Sequence, residues 1–598
     1  MSDYKAPVRD MQFVMRELAG LDQVQALPGH EEASSDLVDA ILDEASKFAN
    51  SVLSPLNRVG DREGSKWNDG DVTTAPGWKD AYKQFSEAGW AALSCDPQYG
   101  GQGLPKLVAT SVMEMWKAAN MAFSLCSMLT NGAIEAISLR GSDKQKNMYL
   151  PKMVSGEWTG TMNLTEPQAG SDLAAVRSRA EPQGDGTYRI FGQKIFITYG
   201  EHDMTDNIIH LVLARLPDAP EGVKGISLFV VPKFMVNDDG SLGARNDVRC
   251  VSVEHKLGIH GSPTCVLAFG DKGGAIGTLI GEPNHGLEYM FIMMNEARFA
   301  VGMEGLGLSE RAYQQAVEYA RDRIQGGEIG VRGGPKVPII RHPDIRRMLL
   351  LMKSQTEAMR ALAQVVATAM DKAHAHADEN VRATNQAFVD LMIPVIKGWF
   401  TENSVDIASL GIQVHGGMGF IEETGAAQHL RDARITPIYE GTTGIQASDL
   451  IGRKIAREKG ATIKAVIEDM RKAQTQAAAN ADEALKVIGK TLGTGIDALE
   501  KAVDFIVSTY GTDVKAAATG AVPFLKLFGI VAGGWQMARA ALVSQQRLSE
   551  NAGDAQFYRN KILTARFYAD HVLSQAGGLS HAVINGAPAV VAMDDDQF

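Results

Sequence analysis

The sequence has few cysteines, and this scarcity excludes two classes of protein. Its 598 residues include four, Cys95, Cys126, Cys250 and Cys265, and no two of them form a CxxC pair. A disulfide framework needs many cysteines, and a structural zinc site needs them paired at short spacing. The four thiols are therefore expected to be reduced and mostly buried, as in an intracellular protein.

Basic residues are also too few for a typical nucleic-acid-binding protein. The chain has 59 Lys+Arg against 71 Asp+Glu, which gives a formal net charge of −12. Proteins that bind nucleic acid usually carry a strongly basic domain. The hydrophobic fraction is 45% and the charged fraction 22%, which is ordinary globular composition and excludes a largely disordered chain.

No long, uninterrupted hydrophobic run is present. The N-terminal stretch lacks the apolar core of a secretory signal, and acidic residues interrupt its basic ones, which argues against a transit peptide. The most hydrophobic late stretch, residues 522–538, contains Lys526 and three glycines and is too short for a membrane-spanning helix. We therefore expect a soluble, cytoplasmic protein with no integral membrane segment.

The pattern of apolar residues changes along the chain and predicts its domains. Helical spacing dominates up to about residue 160, and a helix over 34–53 is expected to begin at Ser34 and stop at Pro55. Short β-branched and aromatic segments then indicate antiparallel strands, after which helical spacing returns. The Gly-rich stretch 326–338 is expected to be a loop. The predicted domains are 1–160, 161–283, 284–455 and 456–598, close to the number expected at about 150 residues per domain.

Two segments around the predicted strands could bind a flat, phosphate-bearing ligand. MNLTEPQAGSDL (162–173) offers the hydroxyl of Thr165 and the backbone N–H groups of Gly170 and Ser171, which can approach a phosphate. KIFITYG (194–200) places Phe196 and Thr198 on one face of a strand, where a heterocycle could stack. Taken alone, the first segment is equally consistent with an ordinary turn, and the second fits a core strand with one hydrogen-bonded Thr better than it fits a ligand site.

Two later segments could carry further binding and catalytic groups. QVHGGMGFIEE (413–423) has a Gly-Gly pair that permits close backbone approach, although it could equally be a helix–helix turn. RDARITPIYEGTTGIQ (431–446) places Glu440 before Gly441 and Thr442. A carboxylate in an apolar pocket can act as a general base, whereas most glutamates are surface charges.

Together and in this order, the segments resemble the acyl-CoA dehydrogenase family over roughly residues 35–455. The resemblance rests on LTEPQAGSD, GQKIFIT, NEARFAVG, YARDR, QVHGGMGF and RDARITPIYEGT. It implies a mostly α fold with a central antiparallel β domain, between an N-terminal helical domain and a C-terminal helical bundle. The larger branch of the family has an extra C-terminal helical domain, which corresponds to the last 143 residues of this chain, 456–598.

The resemblance implies FAD as the cofactor, held between the β domain and the bundle. Arg323 and the segment from Gln413 to Gly417 would reach the FAD of a partner subunit. Many relatives have Trp where this chain has Phe196, and Gln where it has Gly444. The cofactor-binding positions carried over are Met162, Leu164, Thr165, Gly170, Ser171, Phe196, Thr198, Arg323, Gln413, Gly416, Gly417, Thr442 and Gly444.

Glu440 matches the position of the family's catalytic base. Some members carry the base instead one residue before the bundle arginine, where this chain has Ala297, which cannot act. Glu296 lies one position further back and would point about 100° away on a helix. The positions that correspond to substrate-binding residues are Ser171, Asn295, Arg298 and Gly441.

The implied reaction is removal of the α-proton of an acyl-CoA by Glu440, with the β-hydrogen and its electrons passing to the flavin. The product is a trans-2-enoyl-CoA, as in fatty acid β-oxidation. The substrate is either a medium- or long-chain acyl-CoA or 3-methylmercaptopropionyl-CoA, and the sequence does not decide between them. The resemblance further implies an electron-transfer flavoprotein as acceptor and a homodimer.

The resemblance to the family leaves other functions open. An acyl-CoA oxidase has the same fold and uses O₂, and some relatives bind DNA without dehydrogenating, although the acidic balance and Glu440 argue against the latter. Membrane association of the C-terminal region has less support, because that region is not strongly basic. No metal site is expected, since His374 and His376 lie two apart on a predicted helix and share no face.

Overall fold

The computed structural model describes residues 4–598, which form two compact units. The unit called here the β unit contains Lys47–Leu104 and Ala119–Ala300. The helical unit contains the N-terminal segment up to Ser46, Pro105–Ala118 and Val301–Phe598. This division is coarser than the four domains proposed from the sequence, whose boundaries stay predictions.

The β unit is built on one large sheet. Its eight strands run in the order β10-β11-β5-β12-β7-β6-β3, with β4 beside β5 and β6. The two small pairs in this unit are β1–β2 and β8–β9. The strands of the β unit are β1 (Lys66–Asn68), β2 (Asp71–Thr73), β3 (Trp158–Asn163), β4 (Arg179–Pro182), β5 (Tyr188–Thr198), β6 (Asn207–Arg215), β7 (Ile226–Pro232), β8 (Phe234–Val236), β9 (Leu242–Arg245), β10 (Val248–Val253), β11 (Thr264–Phe269) and β12 (Ala275–Leu279).

The sheet is mostly antiparallel, as predicted, but β3 departs from the prediction. It pairs in parallel with β6, from Trp158 opposite Asn207 to Asn163 opposite Val212. Parallel neighbours need a long connection, and here 43 positions separate the end of β3 from the start of β6. Every residue of β3 is buried, as is usual for a strand of this kind.

Helices account for most of the remaining chain. The region after residue 460 is helical, as predicted, and the Gly-rich stretch 326–338 is more ordered than the predicted loop, since its ends pair as β13 (Ile324–Gly327) and β14 (Lys336–Pro338). The α-helices are α1 (Val8–Phe13), α2 (Leu21–Gln25), α3 (Ser35–Phe48), α4 (Ser54–Glu63), α5 (Trp78–Glu87), α6 (Lys106–Arg140), α7 (Asp143–Val154), α8 (Gly286–Asp322), α9 (Pro343–Ala375), α10 (Glu379–His415), α11 (Ala426–Ala433), α12 (Thr443–Asp449), α13 (Ala461–Ala478), α14 (Glu483–Thr509), α15 (Val514–Thr519), α16 (Ala521–Ser549), α17 (Ala555–His571), α18 (Ala576–Asn585) and α19 (Ala587–Ala592).

The helix predicted over 34–53 begins where expected but does not stop at Pro55. The Ser34 hydroxyl accepts a hydrogen bond from the N–H of Leu37 and so caps α3. A π-helical turn over Ala49–Leu53 then joins α3 to α4. Pro55 lies in the first turn of α4, where the missing N–H has no cost, so it starts a helix instead of ending one.

A buried ionic cluster ties the two ends of the chain to the bundle within the helical unit. Arg360 of α9 donates to Glu114 of α6, at 2.6 Å, and to Asp10 of α1, at 2.7 Å. Lys561 of α17 also donates to Asp10, and to Glu357 at 2.9 Å. The C-terminal helices are therefore held by charge pairing as well as by apolar packing.

All four cysteines are buried thiols, as predicted. Two helices, α6 and α16, are long and apolar enough to pass a length-and-composition test for a membrane span. The most apolar windows of the two helices are 72% and 83% buried, as in the core of a folded protein. They are therefore weak evidence for a membrane segment, although α16 is longer than the stretch 522–538 suggested.

Candidate functional site

The loop after β3 is organised around a buried carboxylate that the sequence analysis did not single out. Glu166 accepts hydrogen bonds from Lys194 Nζ at 2.8 Å and from the hydroxyl of Ser178 at 2.6 Å. The backbone N–H groups of Arg177 and Ser178 and the amide of Gln168 also donate to it. Five donors on one carboxylate fix the loop in a single conformation.

The Glu166–Lys194 pair is buried and ionised. Burial alone would raise the pKa of Glu166, but the Lys194 ammonium and the hydrogen bonds from Ser178 and Arg177 outweigh it and lower that pKa to about 2. Burial lowers the pKa of Lys194 to about 8, against the opposing effect of Glu166. Both groups are therefore charged at neutral pH.

The residues of this loop that are predicted to bind the cofactor begin beside β5. Lys194 Nζ also donates to the carbonyl of Leu164 at 3.0 Å, and the N–H of Ile195 donates to the carbonyl of Thr165 at 2.9 Å. Met162 is buried in the last part of β3. Further along, Gly170 and Ser171 are exposed, and a Cβ placed on Gly170 would have no atom within 4 Å.

A bulge in β5 turns Phe196 outward. Ile197 pairs with Cys265 and Lys194 with Leu267, so β5 has one more residue than β11 over this stretch. Phe196 has φ 60° and is 58% exposed, which is uncommon for a bulky residue. Ile197 is buried between Phe196 and half-buried Thr198. The bulge and the left-handed φ interrupt the regular alternation at Phe196, so the shared face of Phe196 and Thr198 stays a prediction.

The predicted substrate residues of α8 differ in their environment. Asn295 is exposed, whereas Arg298 is buried, with its guanidinium 5.9 Å from the ring centre of Phe291. Ala297 is buried on the same helix and Glu296 is half-buried. Both Asn295 and Arg298 belong to the β unit, together with the loop around Glu166.

In the helical unit, Glu440 lies in a tight turn between α11 and α12. Glu440 has φ 53° and Gly441 has φ 90°. Glu440 itself is half-buried. The φ of 90° at Gly441 strains any residue with a side chain, and a Cβ there would also displace the side-chain amide of Gln446, 2.6 Å away, so the position favours glycine.

Side chains hold both carbonyls of this turn. Lys397 of α10 donates its Nζ to the carbonyl of Gly441 at 2.6 Å. The Gln446 amide donates to the carbonyl of Glu440 at 3.2 Å. Thr442 caps α12 by accepting from the N–H of Ile445 at 3.2 Å, so its hydroxyl has a local structural role. Its contact with a cofactor stays a prediction.

The remaining predicted cofactor positions lie at other exposed points of the helical unit. Arg323 follows the end of α8, and Gln413, Gly416 and Gly417 lie at the end of α10. A Cβ on Gly416 or Gly417 would have no atom within 4 Å. Gly444, in the first turn of α12, is exposed in the same way.

The contacts of the His415 side chain are with its own part of the fold, and it is not part of a metal-binding group. Its ring stacks on Tyr319, with ring centres 4.4 Å apart, and its Nδ1 lies 2.7 Å from the carbonyl of Gly411. Burial lowers its pKa. No group of three or more His, Cys, Asp or Glu that could hold a metal ion occurs among residues 4–598.

Sequence reasoning missed the supporting residues Glu166, Lys194 and Lys397. Glu166 stands next to Thr165 in the motif already noted, and Lys194 opens the second motif, so both were within reach. Their pairing joins positions 28 apart, and a local pattern does not show that.

Family comparisons cover nearly the whole chain. Acyl-CoA dehydrogenase models match it as the N-terminal domain over 35–157, the middle domain over 161–271 and the C-terminal domain over 284–456. An "Acetyl-CoA dehydrogenase C-terminal like" model matches 461–594. The 3-methylmercaptopropionyl-CoA dehydrogenase of Ruegeria pomeroyi is 50% identical over 95% of this chain and 96% of its own length. The chain belongs to the acyl-CoA dehydrogenase family.

Two further similarities extend this family assignment. The broad-specificity linear acyl-CoA dehydrogenase FadE5 of Mycobacterium tuberculosis is 36% identical over 96% of both chains. The solved acyl-CoA dehydrogenase from Bacillus anthracis, complexed with FAD, is 21% identical and superposes with a TM-score of 0.74 over 96% of this chain and 91% of its own. This last similarity shows the shared fold of the family, including the helices after residue 456.

Proposed function

We propose that this protein is an FAD-dependent dehydrogenase of 3-methylmercaptopropionyl-CoA, with Glu440 as the base. The observation that carries the proposal is 50% identity to a protein of that name over almost the whole of both chains. The strained Glu440–Gly441 turn supports the role of Glu440, because strained backbone that the surrounding structure holds in place clusters at active sites.

The residues of the β unit fit a flavin. Phe196 offers an exposed aromatic face beside the half-buried hydroxyl of Thr198, which suits a flat ring with polar edges. The open backbone at Gly170 and Ser171 suits a phosphate, and Glu166 holds that loop in place. In the helical unit, exposed Arg323 and the open backbone at Gly416 and Gly417 suit the same chemistry. When bound, FAD supplies the two-electron acceptor for the β-hydrogen of the substrate.

Glu440 has the chemistry needed at the α-carbon. A thioester α-proton is a weak acid, and a positioned general base typically accelerates its removal by about 10²–10⁴-fold. The proton goes to the Glu440 carboxylate, the α- and β-carbons become doubly bonded, and a trans-2-enoyl-CoA is formed. The anchored carbonyls of Glu440 and Gly441 keep the base in one orientation during this step.

The role of Glu440 is tested by Glu440→Gln in the FAD-loaded protein. We expect bound flavin at the wild-type level and loss of flavin bleaching on anaerobic addition of acyl-CoA. Glu468→Gln, an exposed glutamate on α13, is the matched control and should bleach normally. Bleaching of the Glu440 variant at near wild-type rate would exclude it as the base.

The substrate is tested with a panel scored by kcat/KM and an artificial electron acceptor. 3-Methylmercaptopropionyl-CoA is compared with pentanoyl-CoA, in which CH₂ replaces sulfur at the same chain length, and with butyryl-, octanoyl- and palmitoyl-CoA. The proposal requires the sulfur compound to exceed pentanoyl-CoA. Equal values for the two would instead favour a broad linear acyl-CoA dehydrogenase, the activity named for FadE5.

The electron acceptor and the assembly belong to the same proposal. We propose electron-transfer flavoprotein as the acceptor, as the resemblance to the acyl-CoA dehydrogenases implies. Turnover sustained by O₂ alone at a comparable rate would show an oxidase instead. We also propose a homodimer in the cytoplasm, and a tetramer in light scattering would contradict the first part.

A further inference from the structure

A chain of buried polar side chains ends on the residue before Glu440. The hydroxyl of Tyr439 donates to one oxygen of Glu304, and Lys117 Nζ donates to the other at 3.1 Å. Lys117 is 1% exposed and Glu304 is 0% exposed. These side chains come from α6, α8 and the Glu440 turn, all within the helical unit.

The backbone of α8 permits this arrangement. A Cβ on Gly307, three residues after Glu304, would lie 2.7 Å from the backbone nitrogen of Ala118 and 2.8 Å from Cβ of Lys117. Only glycine allows α6 to come this close. The approach brings the Lys117 ammonium to a carboxylate that would otherwise be buried without a cation.

The surroundings of Tyr439 and Lys117 determine whether these side chains carry their protons. Burial and the negative charge of Glu304 hold the pKa of Tyr439 well above its usual range, so its hydroxyl stays a donor. Burial also lowers the pKa of Lys117, while its hydrogen bond to Glu304 opposes that effect. With both oxygens of Glu304 engaged, the Tyr439 ring has one stable position.

A second buried lysine binds the backbone on the other side of Glu440. Lys397 is fully buried and donates to the carbonyl of Gly441, the residue after Glu440. The residues on either side of Glu440 are thus each hydrogen-bonded to a buried side chain of a different helix: Tyr439 donates to Glu304 of α8, and Gly441 accepts from Lys397 of α10. Between these two points, Glu440 has its left-handed φ of 53°.

We propose that Lys117, Glu304, Tyr439 and Lys397 are positioning residues that hold Glu440 in its strained, reactive orientation. An unsupported glutamate would relax from left-handed backbone, because that conformation is unfavourable for a residue with a side chain. A displacement of about 1 Å at a reacting group can lower the rate by about 10²-fold. The inference rests on the proposed role of Glu440 as the base, and it adds the residues that make the base effective.

The deciding variant is Tyr439→Phe, which removes one hydroxyl and keeps the ring. In anaerobic single-turnover mixing with acyl-CoA, we expect the rate of flavin bleaching to fall about 10- to 100-fold. The amplitude per bound flavin and KM should stay near wild type. Damage to folding would lower the amplitude or the flavin content and leave the rate of the remaining molecules unchanged.

Two further variants and one control complete the test. Lys397→Met and Glu304→Gln should also lower the rate of flavin bleaching. The effect of Lys397→Met should be the same whether or not Tyr439 is also replaced. Tyr568→Phe is the matched control, because this buried hydroxyl donates to the carbonyl of Ile530 in the C-terminal helices, and its rate should be unchanged. Where Glu304→Gln does not fold, Tyr439→Phe decides the question.

A wild-type bleaching rate in Tyr439→Phe would overturn the positioning proposal. It would leave Glu440 as the base untouched, since that role depends on Glu440→Gln. Conversely, bleaching in Glu440→Gln would refute the base assignment, whatever Tyr439→Phe shows. The two failures are therefore distinguishable.

Discussion

Replacing Lys194 with methionine is expected to destabilise the β unit strongly. Methionine has a similar length but no charge, so Glu166 would remain buried with its four other donors and without the ammonium at 2.8 Å. The carbonyl of Leu164 would lose its donor at the same time. A buried charge that loses its partner typically costs about 3–5 kcal/mol.

The intact pair contributes much less than this loss, because the cost of burying two charges offsets most of their mutual attraction. Burial lowers the pKa of Lys194 to about 8 even with Glu166 beside it. The double variant Glu166→Gln with Lys194→Met, which removes both charges, should therefore be much closer to wild type than Lys194→Met alone.

Thermal unfolding of the apoprotein by circular dichroism measures both effects. At about 2–4 °C per kcal/mol for a unit of this size, Lys194→Met should lower the midpoint of the β unit by roughly 10 °C. The double variant should recover most of that loss, and exposed Lys272→Met should be neutral. Equal midpoints for the single and double variants would show that the pair is not coupled as described.

Three further predictions follow from the same geometry. Arg323→Ala should weaken FAD retention on gel filtration, whereas exposed Arg559→Ala should not; equal retention would remove Arg323 from the site. Phe196→Gly and Phe196→Ala should both weaken FAD binding, but the glycine variant should be more stable by about 1 kcal/mol, because only glycine adopts φ 60° without strain. Asp371, near the end of α9, accepts from the N–H groups of Lys106 and Leu107, and burial raises its pKa to about 7. The stability that it contributes is therefore present below its unfolded pKa near 4 and is lost as the pH rises through 7. Asp371→Asn removes the buried charge but leaves one oxygen for the two N–H groups, so the midpoint of the variant relative to wild type should be higher at pH 8 than at pH 5, and an equal difference at both would contradict this.

The order of helical and β regions could be predicted from the sequence because periodicity reports burial. The change from helical spacing to short β-branched segments near residue 160 corresponds to the start of β3 at Trp158. The parallel pairing of β3 with β6 was not predictable, since nothing in either strand encodes its neighbour. Pro55 was misinterpreted because a proline that ends one helix and one that begins the next have the same local signal.

At the candidate site, the sequence indicated the residues proposed to contact cofactor or substrate. It did not indicate the buried residues that hydrogen-bond to the segments carrying them. Phe196 and Glu440 belong to local motifs, and a motif can be read from consecutive residues. Glu304 lies 135 positions from its partner Tyr439, and Lys397 lies 44 from Gly441. Such pairs are set by how helices pack, which a single sequence does not reveal.

The two units share one physical feature at the positions proposed to act on ligand. Phe196 in the β unit and Glu440 in the helical unit both have left-handed backbone, with φ of 60° and 53°. Each is adjacent to a buried lysine contact: Lys194 pairs with Glu166 near Phe196, and Lys397 binds the carbonyl after Glu440. Strain persists only where the surrounding structure over-determines it, and buried hydrogen bonds from charged groups are strong enough to do so. Buried lysine contacts therefore lie beside the unfavourable backbone at both of these residues, where they can help to hold it.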